Sequence, residues 1–135
     1  MQFKYAICYP DKEEIDFRNS PISRDQVIHI AQTYPWIEQL NYKETLDRDD
    51  MFYSPSLEFT CIENNRSFTL TAIYNERGDL EFSLWYYRPK MVRNSVGAFE
   101  KMEVDDIWAI KFDDAIKYLN IFVKGDYSII ENLYR

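Results

Sequence analysis

Glycine is scarce in this chain of 135 residues, which has only Gly78, Gly97 and Gly125. A Walker loop or a dinucleotide fingerprint needs clustered glycines so that the backbone can approach phosphate closely, so nucleotide chemistry of those kinds is excluded. Histidine is scarcer still, with His29 alone. One imidazole and two isolated cysteines, Cys8 and Cys61, do not assemble the ligand set of a zinc site. Positive charge is in deficit: 16 Lys and Arg stand against 23 Asp and Glu, giving a net charge of -7. Nucleic-acid binders need clustered cations, so DNA and RNA are not expected partners. No apolar run approaches membrane-spanning length, and the opening MQFKYAICYPDKEE lacks the basic start and apolar stretch of a secretion signal. The expectation is a cytoplasmic protein with no membrane partner, its two thiols free and buried.

What is present points to a folded domain. Hydrophobic residues make up 46% and charged residues 29%, ordinary globular values that argue against disorder over any long segment. Residues 1–135 are expected to form a single domain. Aromatic residues reach 17%, with 11 Tyr, 9 Phe and 3 Trp. Tyrosine is enriched where one side of a residue is packed and the other meets solvent or a partner.

Alternation along the chain predicts an α+β fold with an antiparallel sheet, a three-stranded central meander plus one or two further strands, packed with two main helices. Phe3, Tyr5 and Ile7 alternate with Lys4, Ala6 and Cys8, a first strand ending at Pro10. Asp11 to Pro21 reads as a polar connection. Ser23 and Gln26 have capping-box spacing, and Val27, Ile30, Ala31 and Tyr34 recur with helical period. Trp36, Ile37 and Leu40 suggest a second, short helix, and NYKETLDRDDMFYSP reads as a loop. LEFTCIE, SFTLTAIY and LEFSLWYYR, separated by turn-like breaks, predict the meander. A break follows at Pro89-Lys90; Met91 to Ala98 gives no clear pattern, and Phe99 to Val104 suggests an edge strand. Asp113 and Asp114 read as the capped start of a helix ending at Lys124-Gly125, and Asp126 as the start of a last short helix.

Within the meander, one face collects Leu57, Phe59, Phe68, Leu70, Phe82, Leu84 and Tyr86 and is the expected core face. The other mixes hydroxyls and carboxylates with two large aromatics, Trp85 and Tyr87. Strand residues alternate between faces, so Trp85, Tyr86 and Tyr87 in a row cannot share one core. Either a second small core covers Trp85 and Tyr87, or they form an open aromatic patch framed by Glu58, Thr60, Thr69, Thr71 and Glu81, with Arg88 just beyond. Such a patch has the aromatic centre and polar rim of a protein interface.

No constellation carries chemistry as clearly. His29 lies four residues after Asp25, but no nucleophile or oxyanion donor attaches to the pair, which reads as an exposed helix pair worth about 0.2–0.5 kcal/mol. Asp47, Asp49 and Asp50 lack the alternation and central glycine of a calcium loop. They remain candidates for partner contact. No catalytic residue, metal or cofactor is expected.

The segments NERGDLEFSLWYYRP and FDDAIKYLNIFVKGDY, with the small size, acidic balance and Tyr and Trp richness, resemble small immunity proteins of bacterial toxin systems. The resemblance spans the last two-thirds of the chain. It implies a cytoplasmic inhibitor that binds a cognate protein, a toxin domain, and blocks its active site without doing chemistry itself. An acidic protein suits a basic toxin cleft. Two other readings stay open: a small-ligand domain whose aromatic sheet face lines a pocket closed by the helices, and a hydrolase using the acidic loop residues.

Overall fold

The computed structural model describes residues 1–95 and 97–134. Among them, β1 (Phe3–Cys8) and β2 (Asp16–Ile22) lead into α1 (Arg24–Thr33) and α2 (Trp36–Thr45). A single 3-10 turn, Arg48–Asp50, precedes β3 (Ser56–Cys61), β4 (Ser67–Tyr74), β5 (Leu80–Asn94) and β6 (Gly97–Ile110). The chain closes with α3 (Phe112–Val123) and α4 (Tyr127–Leu133). The strands form one antiparallel sheet in the order β2-β1-β3-β4-β5-β6, an α+β architecture.

The helices pack on one face. Phe3, Phe59, Phe68, Leu70, Phe82 and Leu84 are fully buried there against Val27, Ala31, Leu119 and Phe122. The Phe122 ring stacks on Phe68 at 5.5 Å and reaches Phe3 at 6.1 Å, joining α3 to β4 and β1. Trp36 meets Phe82 edge-on at 5.0 Å, and its buried indole N–H donates to the Ala31 carbonyl at 2.9 Å, so this ring brings no unpaired donor into the core.

Local signals explain the helix ends. Both capping-box hydrogen bonds form: the Gln26 amide donates to Ser23 Oγ at 3.2 Å, and the Ser23 amide to Gln26 Oε1 at 2.8 Å. Tyr34, before Pro35, takes an extended conformation and stops α1. Gly125, at a φ of +80°, ends α3: its amide donates to Phe122 and that of Asp126 to Ile121, closing the orphan carbonyls of the last turn. Asp113 and Asp114 lie inside the first turn of α3, whose cap position is Lys111, and no side chain caps it. Their carboxylates there favour the helix dipole without serving as caps. Asp126 holds the cap position of α4, also without a side-chain bond.

Four differences from the sequence reading matter. Asp16–Ile22 is a strand, where a polar connection is expected; it is an edge strand, exposed along most of its length, so it carries no apolar alternation to read. Asn41 to Thr45 continue α2, where the sequence suggests a loop. Pro89 does not end β5, which runs on to Asn94 paired with β6. β4 reaches only as far as Tyr87, so at Pro89 one flank of β5 has no neighbour, the kind of place where a residue without an N–H is tolerated. In the segment Met91 to Ala98, Val96 lies outside the described residues; the remainder belongs to this hairpin. Finally, Cys61 is buried as expected, but Cys8 is only half-buried and lies on the face away from the helices. The two free thiols sit at opposite ends of paired strands, roughly 17 Å apart along them, and on opposite faces.

Candidate functional site

Among the described residues, no helix covers the second face of the sheet. Its floor is built from small polar residues, because each strand places its hydroxyls on the face opposite its Leu and Phe. Ser56, Thr60, Ser67, Thr69 and Ser83 are buried there. Register brings them together in pairs: Thr60 opposite Ser67 with oxygens 2.7 Å apart, and Ser56 opposite Thr71 at 2.9 Å. Thr69 faces Glu58 and donates to its Oε2 at 3.3 Å.

The face is concave. One cavity of about 340 Å³ touches residues of all six strands, including Phe17 on β2 and Met102 on β6. In a flat sheet those edge strands would lie about 24 Å apart. The sheet must therefore roll toward its uncovered side. Large side chains stand around the bowl: Phe17 is 64% exposed, Trp108 52%, Val104 46% and Met102 40%. Trp85 and Trp108 meet edge-on at 5.9 Å. Each indole N–H is satisfied, Trp85 by Ser83 Oγ at 3.0 Å and Trp108 by Asp106 Oδ2 at 2.7 Å, so both rings are held in place rather than left to rotate. A bulge sets Trp108: Ser83 faces an extra residue of β6, and Ala109 adopts a φ of +63°.

Charge in the bowl centres on Glu58. Burial pushes its carboxyl above the usual 4.5, while the Thr69 hydrogen bond and the nearby Lys4 hold it down. The Cys8 thiol is raised by burial and then by Glu58, and the Tyr87 phenol by burial, Glu58 and Cys8. These groups therefore share one partly desolvated patch.

Of the sequence candidates, Glu58, Thr69, Thr71, Trp85 and Tyr87 are brought onto this face, with Thr60 in its floor and Glu81 toward the end where β5 begins. Arg88 is not. It follows Leu84 and Tyr86 onto the helix side, where its guanidinium pairs with Glu131 of α4 at 3.0 Å and with Glu103 and Asp105 of β6 at 3.3 and 3.5 Å. Asp47, Asp49 and Asp50 lie in and beside the exposed 3-10 turn before β3, and no described contact joins them to the bowl. Trp108, Asp106, Val104, Met102, Phe17 and Lys4 belong to the site and escape the sequence reading. For β6 the signal is present, since Met102, Val104, Asp106 and Trp108 alternate.

Among the described residues no hydrogen bond or ion pair joins Asp25 to His29, and no three His, Cys, Asp or Glu side chains gather closely enough to hold a metal ion. Nor is any helix of the described residues long and apolar enough to cross a membrane. No family model, curated protein or solved structure matches this chain.

Proposed function

We propose that this chain is a non-enzymatic protein-binding domain that seats its open, concave sheet face on a cognate partner. In keeping with the resemblance of its sequence, the partner is a toxin domain with a basic active-site cleft, and the chain is its cytoplasmic immunity protein. One observation carries the reading. The sheet face without helices bears Trp85, Trp108, Tyr87 and Phe17 around a hydrogen-bonded polar floor, with Glu58, Glu81 and Asp106 as its acids. Aromatic anchors with charges beside them are the side chains from which interfaces draw most of their energy.

A small-ligand site is the second reading, and the cavity of about 340 Å³ favours it. That cavity lies on the open side of the sheet, whereas the sequence reading places a pocket beneath the helices, where the core is filled.

The test is to search the genes on either side of this chain's own for a secreted protein with a variable C-terminal domain, express that domain, and titrate it with the chain. A stoichiometric complex that abolishes toxicity is the expected result. A folded chain that neither binds nor protects, or that carries a small molecule in native mass spectrometry, contradicts it.

A further inference from the structure

We infer that the bowl is a socket for one arginine side chain of the partner, with Glu58 as its counter-ion and Tyr87, Phe17 and Met102 as its walls. This rests on the docking reading above and names the group that the face receives.

The floor leaves one polar group underused. Ser56, Thr71, Thr60 and Ser67 pair their hydroxyls across β3 and β4, and Ser83 accepts from the Trp85 indole. A carboxylate offers about four acceptor positions, and the Thr69 hydroxyl supplies the one hydrogen bond to the Glu58 side chain among the described residues. Lys4 lines the same cavity and acts on Glu58 through its charge, but no ion pair joins the two. A half-buried carboxylate with open acceptor positions, facing a cavity, calls for a donor that arrives with positive charge.

Shape narrows the choice to arginine. At about 30 Å³ per water the cavity holds on the order of eleven waters, room enough for a long side chain in a single socket. Its aromatic and thioether walls suit a flat, weakly hydrated cation that stacks, and the planar guanidinium can donate to a carboxylate through two parallel bonds. An ammonium group is more strongly hydrated and does neither as well. The acidic balance of the chain draws a basic partner to the same face.

The experiment titrates the full chain, at low ionic strength and neutral pH, with three probes followed by amide NMR: N-acetyl-arginine methylamide, N-acetyl-citrulline methylamide and free arginine. Citrulline keeps the shape and removes the charge. The expected result is saturable shifts at Lys4, Glu58, Thr60 and Tyr87, with the capped arginine binding at least about tenfold tighter than the capped citrulline. Glu58→Gln should remove that preference, and Lys4→Gln, by removing a competing cation, should strengthen it several-fold. Melting curves confirm that both variants are folded. Equal binding of the two capped probes, an unchanged preference in Glu58→Gln, or shifts centred on Asp47, Asp49 and Asp50 would overturn the socket. Tighter binding of free arginine than of its capped form would also overturn it, since that marks a free amino acid and not a partner's side chain. A partner complex that forms normally with Glu58→Gln would remove the socket and leave the docking face standing.

Discussion

Glu58 sits where burial disfavours the charged carboxylate relative to water. Burial raises its pKa above the ordinary 4.5, so the folded chain holds this proton over a pH range in which the unfolded chain has released it. Stability is therefore lost as pH rises through that window, and the full cost is present above the folded-state pKa. Glu58→Gln is predicted to raise the melting temperature near pH 7 and to change it little well below pH 4.5, where the carboxyl is protonated in both the folded and the unfolded chain. Thermal melts at the two pH values decide this, and a variant less stable than the parent near pH 7 would show that the ionised carboxylate supports the fold. Phe82 gives the contrasting case on the helix side. It is fully buried between Trp36 and Phe112, and Phe82→Ala should cost about 3–5 kcal/mol in urea unfolding. A loss below about 1 kcal/mol would mean the site collapses around the missing ring. Both assignments were legible in the sequence, because alternation alone sends Phe82 to the apolar face and Glu58 to the polar one. The same alternation places Arg88 with Tyr86 on the helix side, a consequence the sequence reading did not draw. That Glu58 lies in a cavity was not legible, since the meeting of Phe17 and Met102 on the same cavity depends on how the sheet rolls.

Among the elements, those with a buried stripe read clearly and those without one did not. The central strands and α1 carry apolar residues at the period of their own geometry, so pattern and structure agree. β2 is held by backbone pairing to β1 along one side, and its polar sequence, with Pro21 near its end, is that of an edge guarded against further pairing. Alternation reports burial and not pairing, so β2 reads as a connection. β6 shows the intermediate case: Met102, Val104, Asp106 and Trp108 alternate, but the acids Asp105 and Asp106 obscure the pattern, and the bulge at Ala109 breaks it. That bulge gives a prediction. A left-handed conformation costs a residue other than glycine about 1–2 kcal/mol, of which the greater unfolded freedom of glycine cancels about 0.4–1. Ala109→Gly should thus stabilise the chain by about 0.5–1 kcal/mol in chemical denaturation. A destabilised variant would mean that the Ala109 methyl contributes contacts worth more than the strain.

At the scale of the whole molecule, one sheet separates two different surfaces. The helix side is a filled core, and the open side is a rolled bowl with aromatic walls and a hydrogen-bonded floor. The layout of helices over an antiparallel sheet was legible because the central strands are almost wholly apolar on one side and mixed on the other. The roll was not, for it brings Phe17 and Met102 to one cavity across 85 residues of chain (102 − 17), a relation no local pattern carries. The net charge of -7 makes a further prediction for association. Binding to a basic partner should slow as ionic strength rises, and Glu81→Lys, at the margin of the face, should slow it at low salt and flatten that dependence. Stopped-flow association at several salt concentrations measures both effects; identical slopes for parent and variant would place Glu81 outside the field that guides the partner.

The open face as interface is the central claim, and the most direct measurement is partner affinity for Trp108→Ala and Trp85→Ala alongside their melting temperatures. Trp108 is half exposed and Trp85 only partly buried, so neither truncation should unfold the chain. Each should weaken binding by about 2 kcal/mol or more, because an aromatic anchor lost from a desolvated centre is not replaced by contacts at the rim. Unchanged affinity in both variants, or affinity unchanged while the melting temperature collapses, would contradict the account and make the two tryptophans part of the fold alone.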